Sequence, residues 1–244
     1  MAIPPPPPPG DEPPMVPSTM EEPPQGPPPP EARALPWEET GYPFLEGLFE
    51  TAKLFVSKPT EAFGRMRRAG DLGRPILYAV IVGWTAIIVS QLYSLAFRGL
   101  SWQAWPGMNR FEQGFPIAVT AALMIFAPVF ILLGLFIWSG IVHLMLMIIG
   151  GAQEGFDATF RVMSYATTAQ LAQVVPLCGG LAASIWALVL EIIGIAQAHR
   201  ISQGKAAVAV LVPLALCCVC IAVVFAISGA AITAAIAGAA SHAR

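Results

Sequence analysis

From Pro75 to the C-terminus the chain is built almost entirely of apolar runs long enough to cross a bilayer, and this constrains the fold more than any motif does. A hydrocarbon core of about 30 Å needs roughly 20 apolar residues in helical form. In lipid every backbone N–H and C=O must be satisfied internally, so a chain of this pattern crosses as helices. Spans are predicted at about 75–97, 117–149, 159–175, 181–198 and 206–228. The run from Pro116 to Ile149 is the longest and has no polar turn. At about 1.5 Å per residue it reaches roughly 50 Å, so it reads as one helix that projects from the membrane, with Pro128 as a kink rather than an end. Phe156 to Ala206 reads as a hairpin whose uncharged turn is Pro176–Gly180.

Charge is distributed to match. Only 11% of the 244 residues are charged, against 56% hydrophobic, where a soluble domain carries about 25% charge. Beyond Leu72 the only acids are Glu112, Glu154, Asp157 and Glu191. The chain therefore divides into a polar tail over residues 1–40, a basic segment over 41–74 and a membrane domain over 75–240. Met1–Pro36 is dominated by proline and cannot bury enough apolar surface to offset its ordering entropy, which predicts disorder. Such a tail either extends and solubilises the chain or offers polyproline II runs to a protein partner.

Between them, Phe44, Leu45, Leu48, Phe49, Ala52, Phe55 and Val56 recur at helical spacing, with Glu46, Glu50 and Lys53 between them. An amphipathic helix is expected, followed by a break at Pro59 and a basic cluster of Arg65, Arg67, Arg68 and Arg74. Aromatic residues beside arginines suit the bilayer interface; packing on the ends of the membrane helices is the alternative. Trp102, Trp105 and Phe111 place the loop after the first span against the membrane surface. No secretory leader is visible. With five spans and the N-terminus in the cytoplasm, ten of the thirteen Lys and Arg fall inside, leaving Arg98, Arg110 and Arg244 outside. The C-terminus is then outside.

Polar groups in the spans are few, and each is a candidate functional group because burial in lipid is costly. Glu191 is the only acid within a span. It reads as a proton or cation site, as paired with a group on a neighbouring helix, as protonated, or as hydrogen-bonded to Gln170, Gln173 or Gln197 across the hairpin. His143 follows Ser139 by four residues on one face. A hydrolase reading fails because no nucleophile elbow or oxyanion donors accompany them. The C-x-x-C at Cys217 and Cys220 lies in a lipid-length run with nothing to stabilise a thiolate, so it reads as small apolar packing. His143, His199 and His242 do not form a metal-ligand pattern. No phosphate loop or dinucleotide fingerprint is present, so no cofactor is expected, and nothing suggests nucleic acid. Ala226, Ala230, Ala234 and Gly238 repeat every four residues, a stripe that permits close helix contact within the molecule or between copies.

Several elements in order resemble the Yip domain, the membrane domain of Ypt/Rab-interacting proteins, and its bacterial branch in particular. They are Lys58-Pro59, Phe63, Arg65 and Gly73-Arg74-Pro75; then His143 and Gly150-Gly151; then Phe156, Phe160-Arg161-Val162 and Tyr165-Ala166; then Pro176, Gly179, Trp186 and Gly194; and last His199 and Gly204-Lys205-Ala206. The resemblance covers about Phe44 to Ile221. It implies a five-helix membrane domain with a cytoplasmic N-terminus, in agreement with the charge count. The long proline tail and Glu191 depart from the pattern. Ten arginines against three lysines, with much Ala, Gly and Pro, suggest a GC-rich bacterial source and hence an inner-membrane protein. The function expected is non-enzymatic, organising the bilayer or protein partners; a small transporter or channel using Glu191 is the alternative.

Overall fold

The computed structural model describes residues 1–3, 34–104, 117–176 and 178–242, with side-chain surroundings for all of these but 94–104, 117–118 and 230–242. The described residues form helices and no strand. In chain order they are α1 (Phe44–Ser57), α2 (Pro59–Arg65), α3 (Gly73–Ala104), α4 (Ile117–Ile148), α5 (Phe156–Ala166) continued by a 3-10 helix (Thr167–Val174), α6 (Gly179–His199) and α7 (Gln203–His242). Among the described residues four stretches are long and apolar enough to cross a membrane: Gly73–Tyr93, Val119–Ile148, Gly179–His199 and Gln203–Gly229.

Local sequence accounts for most boundaries. Pro59 takes the first position of α2, where its missing N–H costs nothing, and separates it from α1. The expected single long helix is present as α4, which carries Pro128 without interruption. It closes at Gly150, whose φ of 66° only glycine adopts without strain. Gly151 N–H then returns to the Leu146 carbonyl at 2.7 Å. α3 and α7 outrun their expected spans, continuing to Ala104 and His242. Trp102 therefore falls within a helix rather than a loop, while Trp105 and Phe111 lie outside the described residues.

The stretch expected as the third span differs most. It is an eleven-residue α-helix followed by eight residues of 3-10 helix. Every residue from Ala158 to Ala166 is buried, surrounded by α3, α4 and α6. A helix wrapped by its neighbours need not be apolar towards lipid, so Thr159, Arg161 and Ser164 are accommodated inside the bundle.

An aromatic core joins the pre-membrane helices to this bundle. Phe55 of α1 stacks on Tyr165 of α5 at 5.3 Å between centroids and meets Phe63 of α2 edge-on at 4.8 Å. Tyr78 of α3 lies 5.1 Å from Tyr165, and its hydroxyl bonds Thr168 Oγ1 at 2.7 Å. Gly194 lets α2, α5 and α6 converge. A Cβ there would stand 2.5 Å from Val162 Cγ1 and 2.7 Å from the Phe63 ring. Gly179 does the same at the hairpin turn, where a Cβ would come within 2.4 Å of the Ala172 carbonyl oxygen.

Candidate functional sites

The most buried polar centre is built by a segment that composition assigns to the tail. Leu35 and Trp37 are buried, so the folded body begins before the boundary expected near residue 40. Trp37 is tied at three points: its N–H to Thr51 Oγ1 at 2.9 Å, its indole N–H to the Arg74 carbonyl at 2.7 Å, and its carbonyl to Arg74 Nη1 at 2.6 Å. The next residue, Glu38, accepts from Arg161 Nη1 at 2.9 Å, from the Tyr165 hydroxyl at 2.8 Å and from the Arg67 N–H at 3.2 Å. Arg161 also donates to the carbonyls of Asp71 and Ala69, at 2.6 and 3.3 Å. The side chains of Arg161 and Glu38 are only 2% and 3% exposed, so solvent screens the pair little. Sequence reasoning missed Glu38. The one available signal was Arg161 itself, a cation in a predicted span that required an acid. Asp157, four residues earlier, is nearer in sequence; the fold selects Glu38.

A second centre links α4, α5 and α6 through two histidines. The Glu154 N–H donates to His199 Nδ1 at 3.1 Å, so the His199 proton resides on Nε2. His199 Nε2–H then donates to Thr159 Oγ1 at 2.8 Å, and the Thr159 hydroxyl donates to His143 Nδ1 at 2.9 Å. One direction satisfies the whole chain, with both imidazoles neutral. His143 thus belongs to this bridge and does not join Glu191. Ser139 is buried and its hydroxyl has no partner. With the His143 Nδ1 taken by Thr159, the two do not form a nucleophile–base pair.

The third centre is a cavity of about 250 Å³ between α4, α5 with its 3-10 continuation, and α6. Glu191, Gln170 and Thr167 line it together with Trp138 and Phe130. The Trp138 indole N–H donates to Glu191 Oε2 at 3.2 Å. Of the alternatives for Glu191, the partner is thus a group on a neighbouring helix rather than a hairpin glutamine; Gln173 donates to Gln170. Gln170 does share the cavity with Glu191, and Gln173 is joined to it through Gln170.

The basic cluster is largely engaged by the protein. Arg65 pairs with Glu61, Arg68 Nη2 reaches the Gln197 carbonyl at 3.4 Å, and Arg74 holds Trp37. Lys58 lies 3.3 Å from Glu61 and, with Arg65, holds that carboxyl below its usual range. Arg67 presents an exposed side chain. Beside this cluster α1 shows three stripes. Gly47, Thr51 and Phe55 turn inward, Leu45, Phe49 and Val56 are exposed, and Glu46, Glu50, Lys53 and Ser57 follow on the third side. The cysteines Cys178, Cys217, Cys218 and Cys220 are exposed and unbridged. Among the described residues no group of His, Cys, Asp and Glu is placed to hold a metal ion. Ala226 is exposed on α7; the surroundings of Ala230, Ala234 and Gly238 lie outside the described side chains.

Membrane-length helices packed around buried polar centres define a multi-pass, all-helical membrane protein. The chain belongs to the Yip1 domain family, whose model matches residues 53–238, well over half of its length. No curated protein and no solved structure matches it. Glu38 and Trp37 lie ahead of the family-matched residues.

Proposed function

We propose that the protein is a non-enzymatic organiser of the membrane and of protein partners, working from the cytoplasmic face of a bacterial inner membrane. The observation that carries this reading is α1. Its inward face is fixed by Phe55 on Tyr165, and its exposed stripe of Leu45, Phe49 and Val56 borders a charged stripe. A helix with adjacent apolar and charged stripes lies in an interface plane, apolar side down. The tail emerges just ahead of this helix and supplies the partner-binding arm; the small-residue stripe from Ala226 to Gly238 supplies contact with a second copy. Five crossings are supported by length. Eleven residues at about 1.5 Å and eight at about 2.0 Å bring α5 and its 3-10 continuation to roughly 32 Å, matching a core of about 30 Å. The N-terminus is then inside and the C-terminus outside. A C-terminal reporter active only in the cytoplasm should stay silent; activity there overturns this topology.

The test of function is crosslinking in native membranes, comparing the full chain with one lacking residues 1–33. The cut stops there because Leu35 and Trp37 belong to the core. Partners captured by the full chain and lost from the truncated one support the reading. Identical capture, or none, counts against it.

A further inference from the structure

We propose that the groove over Glu191 binds the protonated head of a lipophilic primary amine, an alkylammonium whose N–H groups are taken by Glu191, Thr167 and Gln170. The inference is independent of the organising role above.

The lining is short of donors. The Trp138 N–H is spent on Glu191 at 3.2 Å, and the Thr167 hydroxyl is spent on the Ser164 carbonyl at 2.6 Å. What remains is the Gln170 Nε2 amide, with its two N–H groups, and a larger acceptor capacity. A carboxylate offers about four lone-pair sites, and Trp138 is the one described donor to Glu191. Thr167 Oγ1 keeps its lone pairs. Gln170 Oε1 already accepts from Gln173, which fixes the carboxamide, and retains a second lone pair. No Lys or Arg lines the cavity among the described residues, so the lining supplies no counter-charge to Glu191.

A ligand that complements this acid and the acceptor oxygens beside it brings both positive charge and donors. A lipid acyl chain brings neither, and a quaternary ammonium brings charge without donors. A primary ammonium brings one charge and three N–H groups. Its chain has a matching wall, because Phe130, Ile131, Leu135 and Met163 line the same cavity. Trp138 and Phe130 add aromatic faces, which attract a cation. A volume of about 250 Å³ admits the head and part of a chain, with the remainder lying along α4, where Phe126 and Val129 are exposed.

The probe is an n-alkylamine with a diazirine in its chain, applied to the full-length protein in phosphatidylcholine nanodiscs, whose headgroup carries no N–H. Photolabelling should map to peptides covering Phe130–Trp138 and be competed by octylammonium. Glu191→Gln keeps an acceptor for Trp138 and removes the charge, and labelling should weaken about tenfold or more. Labelling of that variant at the wild-type level overturns the proposal. So does competition by octyltrimethylammonium or octanol as effective as that by octylammonium. If Glu191→Gln does not yield folded protein, Thr167→Val carries the test. Labelling should then fall by about tenfold, in keeping with the loss of one hydrogen bond to a charged donor, and unchanged labelling overturns the proposal.

Discussion

Glu38→Gln should release the segment from Leu35 to Glu39 without unfolding the helices behind it. The substitution keeps the shape and one acceptor oxygen, which at the Oε1 position retains the Tyr165 hydroxyl, while the new amide faces the Arg67 N–H. Arg161 loses its counter-charge while remaining 2% exposed. Removing one member of a buried pair costs about 3–5 kcal/mol, because the other charge is left uncompensated. The low end applies here, since Asp71 and Ala69 carbonyls still accept from the guanidinium. A cost of about 3 kcal/mol moves the equilibrium between docked and released segment by about a hundredfold. The assay is alkylation of a cysteine at Leu35 in a background lacking the native cysteines. Its rate should rise by that factor in the variant, while the helical circular dichroism is unchanged. The double variant Glu38→Gln, Arg161→Met removes both charges and should recover most of the protection, since a neutral pair carries no uncompensated charge. If Glu38→Gln leaves the rate unaltered, or if the double variant is as open as the single one, the buried pair is not what holds the segment.

Other outcomes follow from the same geometry. Gly194→Ala forces a Cβ to within 2.5 Å of Val162 and should destabilise by about 1–3 kcal/mol, read as a lower thermal midpoint in nanodiscs; Phe63→Leu alongside it should restore part of the loss. Thr159→Val breaks the bridge between His199 and His143, leaving a buried and a half-buried ring nitrogen without partners, and should cost about 1–3 kcal/mol by the same measurement, whereas Thr159→Ser should cost little. Replacing exposed Leu45 and Phe49 with Glu should leave stability within about 0.5 kcal/mol but abolish quenching of an α1 fluorophore by bromolipids; persistent quenching would refute the interfacial placement. Trp138→Phe removes a donor from Glu191 and should leave folding intact while shifting the alkylamine competition curve.

What could be read from the sequence was whatever depends on neighbours along the chain. α4 was legible as one helix because an apolar run without a polar turn gives the backbone no reason to leave the helix, and Pro128 alone does not supply one. The breaks at Pro59 and Gly150 were legible for similar local reasons. The site was legible in part. Glu191 stood out as the lone acid in a span, and the cavity brings Gln170 to it, but its donor is Trp138 on a different helix. His143 stood out as a polar group within a span. That the partner is Thr159 depends on how α4 and α5 pack, which no spacing encodes. Glu38 was hidden for a stronger reason. It follows a tail whose composition predicts disorder, and its partners Arg161 and Tyr165 lie more than 120 residues away. The stretch from Phe156 to Val174 was legible as a helical segment but not as a 3-10 continuation, because a helix packed among its neighbours takes its geometry from them.

The arm and α1 form one mechanical unit. Trp37 is bonded to Thr51 within α1 and to Arg74 at the start of α3, and Glu38 is bonded to α5, so the chain ahead of α1 is anchored to three helices within two residues. Phe55 anchors the other end of α1 to Tyr165, which itself donates to Glu38. Tension on the tail is therefore delivered first to the Glu38–Arg161 pair and, through Tyr165, to the ring that fixes Phe55. The buried charges make this junction selective. A desolvated ion pair adds little net stability while both partners are present, yet its rupture is costly, so the arm is either fully docked or released. The exposed stripe of Leu45, Phe49 and Val56 keeps a fixed orientation only in the docked state, so under the proposed function what the tail binds would be tied to how α1 meets the bilayer.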